Sequence, residues 1–116
     1  MVHPRVTSYG AASRHGATGA VAVGQPAGAA APTIPGNERR HFIRVQNAGT
    51  SPITWGTSAA SAPNGEVLRA GAGANDGSGG TVELRGYAGP IFLYDILNAG
   101  GITARYVETE YGSLTD

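Results

Sequence analysis

The chain has 116 residues and no cysteine, and its eight acidic residues balance eight basic ones at a formal net charge of zero. That length allows one small domain with a modest margin of stability, and the lack of thiols excludes a disulfide framework or a thiolate zinc site. Zero net charge gives no global attraction to nucleic acid or to an anionic membrane. No run approaches the roughly 20 apolar residues that a spanning helix needs.

Residues 1–37 read as an extended N-terminal arm. The segment from Met1 to Gly36 holds six glycines and four prolines, and its bulky apolar residues follow neither a period of 2 nor one of 3.6. Such composition does not offset its own ordering entropy, so the arm is expected to be mobile alone and to order on a partner. Val6, Tyr9, Arg14, Val21, Val23 and Ile34 are the side chains expected to make that contact. The stretch "GAVAVGQPAGAAAP" imitates the core of a signal peptide, but Gly24, Pro26 and Gly28 interrupt it, and no export signal is expected. The arm carries Arg5 and Arg14 and no acid. Every basic residue of the chain is arginine, whose planar fork suits carboxylates on a partner, although a GC-rich genome produces the same bias. Glu38, Arg39 and Arg40 are expected to mark a hinge at the domain border.

Residues 38–112 read as short strands separated by turns, with 113–116 as a tail. "HFIRVQN" alternates, placing Ile43 and Val45 on one face. After "AGTSP", Ile53 and Trp55 share a face of "ITWGT". Asn64 and Gly65 form a dipeptide that readily takes the positive φ of a tight turn, ahead of a short strand at Val67 and Leu68. "GAGANDGSGG" is expected to be a loop that no side chains hold in one shape. "TVELRG" alternates again; "GPIFLYDIL" suits a central strand covered on both faces; "ITARYVETEY" closes the fold. The expected class is all-β, a small antiparallel sandwich or barrel of about six to seven short strands behind the arm.

Chemistry is hard to find. His3, His15 and His41 have no spacing that sets a second metal ligand on the same face. "GTSAAS" lacks the second glycine of a nucleophile elbow. Glu108 and Glu110 point to one side of a strand, where a solvated face that discourages edge pairing is the simpler reading. The glycine loop fails the dinucleotide pattern, because Asp76 stands where a glycine is required. It is also a single copy of what calcium-binding β-helices stack many times. Neither an enzyme nor a cofactor or metal site is expected. Trp55, Asn75, Asp76 and Tyr87 are the candidates for surface contact, and Trp55 with Tyr87 the first pair to consider for stacking a sugar or a base.

From Phe42 to Glu108 the order of elements resembles the small β-sandwich proteins encoded among virion structural genes of tailed bacteriophages. It runs "IRVQNAGTSPI", "ITWG", "SAASAPNGEVL", "AGAG", "TVEL", "GPIFLYDI" and "ITARYVE". The resemblance implies a non-enzymatic head decoration or minor head or tail protein, a homo-oligomer or a part present in many symmetric copies in the virion. Its partner would be the major capsid protein or another virion subunit, contacted by the arm adding a strand to an exposed sheet edge. A neck, tail or fibre-base position and a glycan-binding surface module are the alternatives. Neither nucleic acid nor a membrane is expected as a partner.

Overall fold

The computed structural model describes residues 13–25 and 33–111, the first five of these by backbone alone. Among these residues seven strands form two antiparallel sheets: β1 (Ser13–Val23), β2 (Arg40–Asn47), β3 (Ile53–Gly56), β4 (Glu66–Leu68), β5 (Thr81–Arg85), β6 (Phe92–Tyr94) and β7 (Ile102–Tyr111). One sheet has the order β1-β7-β2-β5 and the other β4-β3-β6. The all-β expectation holds. Among the described residues the helical content is a single 3-10 turn, Ala62–Asn64, and no helix is long and apolar enough to cross a membrane.

Strand alternation fixes what each face does. On β2, Ile43 and Val45 are fully buried while Arg44 between them is exposed. Val45 sits opposite Tyr106 and Val82. From the facing sheet come Ile53, Leu68 and Leu93, and all of these join Val23, Ile34, Ile91, Ile102 and Ala104 in one cluster. Each Val, Leu or Ile among them contributes about 1.5–3 kcal/mol by leaving water, so these ten residues are the main support of a domain this small. Asn47 ties the two sheets together at one end. Its buried amide donates to the Ser51 and Leu68 carbonyls while its oxygen accepts from Gly49 N–H.

Four expectations are corrected. The arm does not stay outside the fold: Ser13–Val23 is an eleven-residue strand paired with β7, with Val23↔Ile102 and Val21↔Ala104 in register. Ile34 forms a bridge with Ile91 and is fully enclosed. Val23 and Ile34 are therefore core residues of their own domain and Val21 packs against that core, so none of the three is free for a partner. The domain begins by residue 13 rather than 38, because "GAVAV" alternates small with branched residues and only the branched ones need burying.

"GPIFLYDIL" is not a central strand. Only Phe92–Tyr94 is extended, at the border of the smaller sheet, and Leu97 stands 65% exposed in the turn that follows. The Asn64-Gly65 pair makes no positive-φ turn; Asn64 ends the 3-10 turn and Gly65 has φ −80°. Lastly, β7 is an interior strand between β1 and β2, so Glu108 and Glu110 guard no edge.

Candidate functional site

The paired glutamates and the supposed hinge turn out to be one internal clamp. A bulge between Arg40 and Phe42 turns Arg40 inward, where its side chain is fully enclosed and pairs with Glu108 on β7. The rest of the guanidinium donates to three carbonyls: Gly89 at 2.7 Å, Tyr87 at 3.2 Å and Pro35 at 2.9 Å. One side chain thus joins β2, β7, the β5–β6 connection and the chain entering β2. Beside it Asn37 donates to Glu110 at 3.0 Å, and Arg39 lies 3.8 Å from the same carboxylate. The border at 38–40 is a rigid anchor, not a hinge, because a buried charge needs fixed partners.

The glycine-rich loop is also held, contrary to expectation. Asp76 accepts from Gly73 N–H at 2.8 Å, from Ser78 N–H at 2.9 Å and from the Ser78 hydroxyl at 2.6 Å. Ser78 Oγ in turn accepts from Ala72 N–H. These bonds, led by the Ser78 hydroxyl, hold the Asp76 carboxyl below its ordinary pKa. Asn75 takes φ 59° and Gly77 φ 84° to make the turn, and the Asn75 N–H reaches the Ala48 carbonyl. At the loop's exit a Cβ on Gly79 would fall inside the radius of the Asn47 carbonyl oxygen, so only glycine fits there. Asn75 and Asp76 are exposed, but the acid's hydrogen bonds all turn inward to its own loop.

Trp55 and Tyr87 do not form a stacking platform. Trp55 packs its ring on the core and donates its Nε1–H to Glu66 across β3 and β4. Tyr87 packs on the same core from the β5–β6 connection, its hydroxyl donating to the Pro90 carbonyl at 2.6 Å. Val6 and Tyr9 lie outside the described residues, as does His3. Arg14 lies in β1 opposite Glu110.

Two features remain open to a partner. The first is the far edge of β1. Among the described residues this strand pairs with β7 on one side and has no strand on the other. A shift in register between His15 and Thr18 leaves Thr18–Val23 as a regular run. It carries none of the usual guards against strand addition, such as lysine, proline or a charge.

The second is the outer face of the same sheet, where a shallow hollow of about 400 Å³ is lined by Thr18, Ala20, Arg44, Gln46, Arg105 and Val107. Register explains it. One row across the sheet reads Ala20, Arg105, Gln46, and the next Thr18, Val107, Arg44, so the small residues Ala20, Thr18 and Val107 leave a dip bordered by the long side chains of Arg105, Gln46 and Arg44. Gln46 is tied by its amide to the Gly77 and Gly79 carbonyls, and Arg44 lies 4.0 Å from Glu83. The Arg105 side chain has no hydrogen bond or ion pair among the described residues. Nearby, Arg85 stacks 4.8 Å above the Phe42 ring.

Among the described residues no three histidine, aspartate or glutamate side chains gather where they could hold a metal ion. Compared with known protein families, with curated proteins and with solved structures, the chain finds no match.

Proposed function

We propose that the protein is a structural subunit of a tailed-phage virion, a head decoration or cementing protein that docks on neighbouring shell subunits. The observation that carries this reading is the unguarded edge of β1, which leads directly from residues 1–12. A bare edge of this kind recruits another strand by backbone hydrogen bonds, and repeated weak contacts of one type suit a part present in many copies. The docking element is therefore β1 with the residues before it, rather than the whole of 1–37.

The test uses the full chain and shells of its cognate major capsid protein. The unaltered protein pellets with the shells, and a Thr18→Lys/Ala22→Lys variant, folded but with its edge charged, stays in the supernatant. Equal pelleting of the two would sink the docking reading.

A further inference from the structure

Strand addition at β1 places the neighbour's side chains beside the hollow on the outer face, and the chemistry of that hollow selects among strands. Neighbouring strands lie about 4.8 Å apart, so an added strand runs about 10 Å from β7 with only Thr18 and Ala20 between them. A long side chain on the added strand, opposite Ala20 and facing outward, passes over that methyl group and meets Arg105. Arg105 is exposed and without a partner among the described residues, and Arg44 lines the same hollow. Around them, among the described residues of β2, β5 and β7, the outer face carries Arg44, Arg85 and Arg105 against the single acid Glu83.

We infer that the segment which docks on β1 is an extended acidic peptide of a different protein, with a glutamate opposite Ala20 whose carboxylate lies in the hollow on Arg105. This deepens the edge-docking reading and rests on it. A second copy of this chain is a poor occupant, because no acidic residue precedes Glu38 and a second β1 would bring only Arg14 and His15 as ionisable groups. Residues 1–12 and 26–32 likewise contain no carboxylate side chain. A planar carboxylate matches the guanidinium fork, and the floor of the hollow, Val107 with Ala20, suits the methylenes of a glutamate.

The probes are two capped peptides, Thr-Val-Thr-Val-Glu-Val-Thr and its twin with Gln for Glu, titrated into the isotope-labelled full chain while backbone amide signals are followed. Both peptides are expected to move the Thr18–Val23 signals, with the Glu peptide binding about fivefold more tightly, as for an exposed cross-strand ion pair. Arg105→Ala should erase that difference and leave the Gln peptide unchanged, whereas Arg69→Ala, with Arg69 exposed on the opposite sheet's flank, should preserve it. Equal affinities, or a difference that survives Arg105→Ala, overturn the acidic preference and leave edge docking standing. Failure of both peptides to reach β1 overturns both readings. So do β1 signals that shift with the protein's own concentration, since a second copy then holds the edge.

Discussion

Arg40 is a charged side chain with no exposed surface, in a domain with no disulfide to spare it from local opening. Burying such a group costs several kcal/mol, which its partners must offset. Here Glu108 and the carbonyls of Tyr87, Gly89 and Pro35 do so. Because they come from separated parts of the chain, the fold is locked wherever the arginine reaches. Arg40→Ala leaves Glu108 buried and unpaired and is expected to cost about 3–5 kcal/mol in urea unfolding. The double variant Arg40→Met/Glu108→Leu, which removes both charges and keeps the volume, should recover most of that loss. The exposed pair Arg44–Glu83, at 4.0 Å, is the contrast: Glu83→Gln should change stability by less than about 1 kcal/mol. A comparable effect at both pairs would remove Arg40 from its place as the anchor.

Among the elements, strands with bulky alternation were legible in the sequence and strands built from small residues were not. "HFIRVQN", "TVELR" and "ITARYVETEY" became β2, β5 and β7 with boundaries within a residue or two. In β1 the alternation is of Val against Ala, and it appears only in "GAVAV". Such a pattern is weak because an edge strand leaves its outer side chains in water. The candidate site suffered the same way: Arg105 and Ala20 gain meaning only from a register that pairs residues far apart in the chain. In the 71–80 loop, glycine content concealed a local signal, since an aspartate readily accepts from the backbone N–H two residues on, here that of Ser78, whose hydroxyl adds a second bond. That loop has a pH dependence whose sign is fixed. The Asp76 carboxyl titrates below its ordinary value in the folded protein, so its ionised form is favoured by folding. Its contribution is complete above the ordinary carboxylate value and is lost as pH falls through the lower, folded one. Amide exchange at Gly73 and Ser78, corrected for intrinsic rates, is expected to quicken across that acid range. Asp76→Asn should exchange faster at neutral pH and lose the step; an unchanged step would assign it to another group.

For the molecule as a whole, the question is whether β1 belongs to the cooperative unit or detaches as an arm. Its register with β7 sets Ser13 opposite Tyr111, so the first and last strands described lie side by side. Val23 adds its side chain to the cluster that also holds Ile53, Leu68 and Leu93 of the other sheet. A core that draws on both β1 and β7 and has no disulfide should melt in one step. Trp55, the single tryptophan, reports the smaller sheet, while far-ultraviolet circular dichroism reports all strands. Val23→Ala removes two buried methyl groups' worth of packing on β1 and is expected to cost about 1–3 kcal/mol. If β1 is integral, the tryptophan and dichroism transitions of the variant shift together, although the substitution lies in the sheet opposite Trp55. An unmoved tryptophan transition beside a weakened strand signal would mean that β1 peels away while the rest stays folded. The same measurement bears on docking: a cooperative β1 presents a preformed edge, so a partner's strand meets an ordered template and only the incoming segment has to be ordered on binding.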